Sequence, residues 1–316
     1  MHRKVFILAA TLCIFLLSPA MLTAHGHHHE SDSPEQKQGI LLSTFGTSYP
    51  KAQKAFEHIE KKVQKAYPDT PVRWAYTAKF IRDKLASNGR DIPSPAQALA
   101  NMKDEGFTSV AVQSLHIIRG YEYSDLRSVV KGFKSMHGKP RQLLLGAPLL
   151  SDPDSLEEVR DCMMDNIPAS RKQDQAVIFM GHGTHHPSNA FYQAMAYQFQ
   201  QEDPLVFLGT IGGTPGLESI IASLEKNNVQ KVYLMPFMSV AGDHARNDMA
   251  GSGEDSWKSV LQKKGYQVRT VLKGMAEYDN IVDIWLDNLE DMTDQFPDHQ
   301  DHEHEHEDHE HEDQED

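Results

Sequence analysis

Cysteine is scarce in this sequence, which has only two such residues among 316, Cys13 and Cys162. Cys13 lies in an N-terminal apolar run that we expect to be removed, so a single thiol remains. One thiol cannot form an intramolecular disulfide, which excludes a disulfide-stabilised scaffold. Cys162 falls in a stretch with helical apolar periodicity, which favours a small core residue over a nucleophile or a metal ligand.

The sequence also lacks an apolar run long enough to cross a bilayer, which takes about 20 residues. Its longest, residues 5–17, follows two basic residues and precedes small residues that end at Ala20 or Ala24. This order is typical of a cleaved secretory signal, and an uncleaved membrane anchor is the alternative. The sequence therefore predicts a signal peptide over residues 1–24, a periplasmic location and no stable membrane insertion after cleavage.

Positive charge is not concentrated anywhere in the sequence, which argues against a nucleic-acid partner. Of the net charge of −14, most comes from residues 298–316, which contain eleven acidic residues, six histidines and no apolar residue. The rest of the sequence is only mildly acidic. Without apolar side chains such a segment cannot build a core, so we predict a disordered tail over residues 293–316.

Histidine is concentrated at the two ends of the sequence, in a linker over residues 25–37 and in the tail. Alternating imidazole and carboxylate groups bind divalent transition-metal ions, so the tail is predicted to collect metal. A solubilising acidic tail with incidental histidines is the alternative. The predicted tail ligands are His302, His304, His306, His309 and His311.

Short β-rich runs alternate with helical patterns between residues 38 and 292, which is typical of βα units on a parallel sheet. The predicted strands cover residues 40–45, 72–76, 110–115, 142–150, 176–180, 206–211, 232–238 and 268–272. The predicted helices cover residues 50–67, 95–105, 123–136, 155–167, 189–199, 217–226, 255–263 and 278–289. The stretch 39–47 (GILLSTFGT) matches 175–184 (QAVIFMGHGT), and residues 110–122 align without gaps to residues 232–244. This internal repeat predicts an α/β fold of two similar Rossmann-like domains, each with a parallel sheet. The predicted domains cover residues 38–150 and 151–292, and a cleft lies between them.

The repeat places Phe45 in register with His182 and Glu122 in register with His244, each just after a predicted strand. Ligands of open α/β sheets bind beyond the carboxyl ends of the strands. Two imidazoles and a carboxylate at such a place suit a divalent ion of the Co, Ni, Fe or Zn type, or proton removal near neutral pH. The glycines on both sides of His182 are expected to leave room for a large ligand.

Motifs of several other enzyme classes are absent. There is no G-x-S-x-G nucleophile elbow, no P-loop with its lysine, no C-x-x-C and no H-E-x-x-H. Residues 209–216 (GTIGGTPG) are similar to a phosphate-binding loop but lack the lysine. The two imidazoles and the carboxylate therefore remain as the candidate chemistry.

Four segments resemble the CbiK-type anaerobic cobalt chelatases, which are fold relatives of ferrochelatase: GHGTHHPSN, QSLHIIRGYEY, STFGTSYPKA and MPFMSVAGDHARNDMAG. The resemblance covers about residues 38–290. It implies ATP-independent insertion of Co²⁺, with Fe²⁺ as an alternative metal substrate, into sirohydrochlorin in cobalamin and tetrapyrrole biosynthesis. It also implies that His182 and His244 are the active-site histidines, that Glu122 is the active-site glutamate, and that the protein is a homo-oligomer.

An anionic tetrapyrrole needs a binding surface beside these residues. The candidate substrate-binding residues are Phe45, Gly46, Thr47, Arg119, Gly213 and Thr214, and Lys79, Arg82 and Arg246 are further candidates for its carboxylates. Such a cleft could also hold haem, for which the sequence identifies no axial ligand. An exported carrier of metal or tetrapyrrole and a two-domain solute receptor are the alternatives to an enzyme.

Overall fold

Two parallel sheets with helices on their faces form the computed structural model, which describes residues 36–297. The strands are β1 (Gln38–Thr44), β2 (Val72–Tyr76), β3 (Ser109–Ser114), β4 (Gln142–Leu145), β5 (Ala176–Gly181), β6 (Val206–Thr210), β7 (Lys231–Phe237) and β8 (Gln267–Thr270). The helices are α1 (Pro50–Ala66), α2 (Lys79–Ala86), α3 (Pro95–Asp104), α4 (Tyr121–Ser135), α5 (Pro153–Asp165), α6 (Ala190–Glu202), α7 (Leu217–Lys226), α8 (Trp257–Lys263) and α9 (Asp279–Thr293). The predicted signal peptide and the tail histidines lie outside the described residues.

The two sheets have the same strand order, β2-β1-β3-β4 in the first and β6-β5-β7-β8 in the second. Every described strand pair is parallel. The central strands β3 and β5 are buried along their whole length, as expected when helices cover both faces of a parallel sheet. The predicted α/β fold with two similar parallel-sheet domains is confirmed.

The duplication extends to individual backbone groups at the carboxyl ends of the strands. Gly46 and Gly183 follow the equivalent strands β1 and β5, and both have positive φ, +96° and +74°. Gly120 and Gly242 each donate a backbone hydrogen bond to the carbonyl two residues earlier, at 2.8 and 2.9 Å. The two halves therefore share loop conformations as well as strand order.

The predicted elements agree with the structure except in two places. Helix α2 was not predicted, because it has only eight residues and begins three residues after a strand. The strand predicted over residues 142–150 ends at Leu145, since Pro148 has no N–H to donate to a neighbouring strand.

The last helix, α9, lies across the first half of the chain. The Lys62 ammonium is 2.5 Å from Asp283, and the Thr293 hydroxyl donates to the Tyr67 hydroxyl at 3.2 Å. Beyond the helix Phe296 is only 7% exposed, so the ordered body extends past residue 293, where the tail was predicted to begin. The predicted domain bounds stay a prediction, and α9 joins the two halves.

Burial accounts for the chemical character of Cys162. The half-buried Cys162 packs against the main apolar cluster, and burial raises the pKa of its thiol to about 11. A thiol with so high a pKa is a poor nucleophile at neutral pH, in agreement with the predicted core role. Within residues 36–297, none of the helices combines the length and the apolar character needed to cross a membrane.

Candidate active site

The carboxyl edges of the two sheets face each other. The Ser239 hydroxyl, after β7, donates to the carbonyl of Leu115, after β3, at 2.7 Å. The Tyr49 hydroxyl donates to Asp243 at 2.6 Å. The loops that follow the strands of both halves therefore border one cleft.

Two imidazoles meet at this cleft. His182 directly follows β5, His244 follows β7, and their ring centroids are 4.7 Å apart with an interplanar angle of 74°. β5 and β7 are hydrogen-bonded neighbours, so residues just beyond their ends are brought together although they are far apart in the sequence. The structure thus brings together the two histidines that were predicted to bind metal.

Hydrogen bonds select the tautomer of each ring. The Nδ1 of His182 lies 2.9 Å from the Gly183 carbonyl, which can only accept, so this nitrogen carries the hydrogen. The Nδ1 of His244 lies 2.5 Å from the carboxylate of Asp248 and donates to it in the same way. In the neutral rings both Nε2 atoms keep a lone pair, which is what a divalent metal ion requires.

Asp248 was not identified from the sequence. It lies four residues after His244 on a short π-helical turn, Ala245–Met249, and such turns recur at functional sites. An aspartate four residues after a candidate ligand is the signal that could have identified it, because side chains at that spacing share one face of a helix. Its carboxylate orients the His244 ring and fixes its tautomer.

Glu122 lies in the first turn of α4, near the loop that contains His182. The buried hydroxyl of Tyr192 is bonded to the backbone at Gly183, and its pKa is raised mainly by burial, with a further contribution from the charge of Glu122. Within residues 36–297, no group of three or more His, Cys, Asp or Glu side chains is arranged to hold a metal ion. The roles of Glu122 as a metal ligand and as a catalytic residue both stay predictions.

The glycines beside His182 have a different role from the one expected. A Cβ on Gly181 would lie 2.7 Å from the Tyr192 ring, and one on Gly183 would lie 2.7 Å from the backbone nitrogen of Gly213. These glycines let the protein pack against its own loop rather than leave room for a ligand. Gly183 also has a positive φ of +74°, a backbone conformation that favours glycine.

A cavity of about 630 Å³ lies between the loops that follow β5 and β6, and neither His182 nor His244 is part of its lining. Its lining includes Thr184, His185, His186, Gln193, Gly213 and Thr214. Gly213 and Thr214, two of the predicted substrate-binding residues, therefore face this cavity. Their assignment to substrate stays a prediction.

The other predicted substrate-binding residues differ in exposure. Phe45 and Arg119 are exposed, whereas Gly46 and Thr47 are buried. Gly46 packs on the Tyr76 ring, and the Thr47 hydroxyl accepts from the Tyr49 N–H. The assignment of all four residues to substrate stays a prediction.

His116, at the end of β3, is a buried structural histidine. Its Nδ1 lies 2.9 Å from the Ser114 hydroxyl and its Nε2 lies 3.4 Å from the Thr77 hydroxyl. Burial lowers its pKa from the ordinary 6.5 to about 4. The ring therefore stays neutral in the folded protein at pH values where the unfolded chain would protonate it.

This difference predicts a loss of stability in acid. Below pH 6.5 the unfolded state binds a proton at His116, whereas the folded state does not. The free energy of unfolding therefore falls as the pH falls towards 4. We expect His116 to account for a loss of about 2 to 3 kcal/mol in unfolding free energy between pH 7 and 4.5. Urea unfolding of the wild type and of His116→Gln at both pH values measures it. Equal pH dependence in the two proteins would contradict the assignment.

Comparison with known proteins gives a consistent result. Residues 38–294 match the sequence model of a family described as cobalt chelatase (CbiK). The sirohydrochlorin cobaltochelatase CbiKC of Nitratidesulfovibrio vulgaris is 42% identical over 81% of this chain and 90% of its own length. The sirohydrochlorin cobaltochelatase of Salmonella typhimurium is 35% identical over 76% of this chain and 90% of its own length.

Solved structures support the fold. SirB from Bacillus subtilis with Fe³⁺ has a TM-score of 0.55 at 16% identity, covering 81% of this chain and 96% of its own. The sirohydrochlorin chelatase SirB from Bacillus subtilis subspecies spizizenii, in complex with cobalt, has a TM-score of 0.52 at 14% identity, covering 82% and 96%. At such identities the likeness concerns the arrangement of strands and helices alone.

Proposed function

The chain belongs to the cobalt chelatase (CbiK) family, and from this premise we propose that it is a sirohydrochlorin cobaltochelatase that inserts Co²⁺ without ATP. The observation that carries the proposal is the pair formed by His182 and His244, whose Nδ1 atoms are engaged and whose Nε2 atoms are available. Imidazole ligands accept both Co²⁺ and Fe²⁺, so Fe²⁺ is an alternative metal substrate.

The chemistry follows from this geometry. The two Nε2 atoms bind the incoming divalent ion and replace part of its water shell, which presents the ion to the macrocycle. Two pyrrole N–H bonds break as two of the new metal–nitrogen bonds form, and both protons leave the ring. Glu122, near the His182 loop, is the proposed acceptor of one of these protons, and solvent takes the other.

The direct test is turnover. Purified protein, sirohydrochlorin and Co²⁺ are mixed, and the visible spectrum of the pigment is followed against a protein-free control. We expect cobalt sirohydrochlorin to form in several-fold excess over protein, because an enzyme releases its product. Pigment binding that stops at one equivalent would identify a carrier instead, and a rate equal to the control would exclude insertion.

We further propose that the tail supplies metal to the cleft rather than taking part in the reaction. The support is its composition, six histidines among eleven acidic residues in residues 298–316. Together with the signal-like N-terminus, it favours an exported enzyme that collects its metal outside the cytoplasm. Fractionation of cells expressing the full chain tests the periplasmic location.

Removal of residues 298–316 is expected to lower the number of Co²⁺ ions bound per chain, because imidazole and carboxylate ligands are lost together. The kcat at saturating Co²⁺ should not change. Equilibrium dialysis and the insertion assay measure the two quantities. A matched variant with the six tail histidines replaced by asparagine keeps the length and the acidic charge. Full metal binding by this variant would indicate a solubilising tail, and a lower kcat at saturating metal would place the tail in the site.

A further inference from the structure

Two exposed aromatic rings contact each other at the carboxyl edge of the first sheet. Phe45 follows β1 and is 38% exposed, and Phe80 is the second residue of α2 and is 62% exposed. Their ring centroids are 5.8 Å apart in an edge arrangement. Large apolar groups that are exposed together at the mouth of a cleft usually mark a contact surface. No sequence motif pointed to Phe80.

The duplication shows which part of the cleft these rings occupy. In the first sheet Thr44 pairs with Tyr76, and in the second Gly181 pairs with Thr210. One residue beyond Thr44 is Phe45, and one residue beyond Gly181 is His182. In the first half an aromatic ring therefore stands in the position that a predicted metal ligand has in the second half.

Phe80, the second ring of the pair, also has an equivalent position in the second half. Four residues beyond Tyr76 is Phe80, and four residues beyond Thr210 is Thr214, which lines the cavity between the loops that follow β5 and β6. The two carboxyl edges face each other, so the two rings lie on the half of the cleft across from the imidazoles.

We propose that Phe45 and Phe80 form an aromatic wall that contacts the conjugated face of the tetrapyrrole, with Phe80 as a substrate-contacting residue. This inference rests on the proposed function, since it names the surface that holds the substrate of that reaction. A flat conjugated ring packs well against aromatic side chains. With the macrocycle on the wall, its other face is turned towards the metal ion carried by His182 and His244.

Two arginines of the first half carry charge that suits the same ligand. Arg82, two residues after Phe80, and Arg119, after β3, have no ion pair or side-chain hydrogen bond with any of residues 36–297. Guanidinium groups without a protein partner can bind the carboxylates at the rim of a tetrapyrrole. The wall and these cations together match a ligand with an apolar face and an anionic edge.

The test compares Phe80→Ala with a matched control. Tyr197 on α6 is also 62% exposed and lies two turns into its helix, so Tyr197→Ala removes an equally exposed aromatic ring outside the wall. Binding of metal-free sirohydrochlorin is titrated by its absorbance, and the steady-state constants for Co²⁺ insertion are measured in parallel. Thermal unfolding checks that the exposed substitutions leave the fold intact.

For Phe80→Ala we expect the Kd and the KM for sirohydrochlorin to rise about tenfold, with kcat changed less than about twofold, because the wall binds substrate and transition state alike. Phe80→Tyr should restore both constants, and Tyr197→Ala should leave them unchanged. If the wild type is active and Phe80→Ala binds the pigment equally well, the proposal of an aromatic wall is wrong. The proposed function is then unaffected. A wild type that binds no sirohydrochlorin would overturn both.

Discussion

Replacing His182 or His244 with alanine is expected to lower kcat/KM for cobalt insertion by at least about 100-fold, because the pair is then reduced to a single imidazole ligand. The structure supports this expectation through the 4.7 Å separation of the two rings and the hydrogen bonds that orient both Nε2 atoms. The double variant should be little worse than either single variant, since two ligands of one ion act as a unit. The assay is the visible spectrum of the pigment at fixed Co²⁺.

The control for this prediction is His137→Ala. His137 is exposed just after α4, and its removal takes away an imidazole without altering the cleft. Its insertion rate should equal that of the wild type. Independent, additive losses from His182→Ala and His244→Ala would show that the two rings do not act on a common ion, and the site would have to be sought elsewhere.

Gly183→Ala is expected to cost about 3 kcal/mol of unfolding free energy and to lower the insertion rate. Part of the cost is the φ of +74°, which disfavours any residue with a Cβ by about 1 to 2 kcal/mol. The rest comes from overpacking, because the added Cβ would lie 2.7 Å from the backbone nitrogen of Gly213. The shift needed to relieve this contact moves the carbonyl that holds the His182 ring.

Gly89→Ala separates these two causes. Gly89 has a nearly equal φ of +78°, yet a Cβ there would meet nothing within 4 Å. It should therefore lose only the backbone contribution of about 1 to 2 kcal/mol and keep full activity. Urea unfolding and the insertion assay on both variants provide the comparison. Equal destabilisation by the two substitutions would mean that the loop at Gly213 moves to accommodate the added Cβ at no cost in unfolding free energy.

Much of the fold could be predicted because its information is local. Buried parallel strands are continuous apolar runs, and β2 and α7 were predicted with the bounds that the structure shows. The repeat placed His182 after the counterpart of β1 and His244 after the counterpart of β3, at the carboxyl ends of both strands. Ligands of α/β sheets bind at those ends. The family resemblance led to the same two residues, and comparison with known proteins bears out the family.

Other features depend on elements that meet only in the folded chain. The sequence does not show that α9 packs across the first half of the chain. It also does not show that residue 183 has no room for a Cβ because Gly213 lies against it. Nor does it show that Phe80, on a helix too short to predict, would contact Phe45.

The amino-acid order thus determined the strands, the duplication and the two histidines, because periodicity and repetition are properties of neighbouring residues. The tertiary structure decided the separation of the two rings, the tautomer that each adopts and the aromatic pair across the cleft. These depend on distances between residues far apart in the chain, which arise only when both sheets have packed and their carboxyl edges face each other.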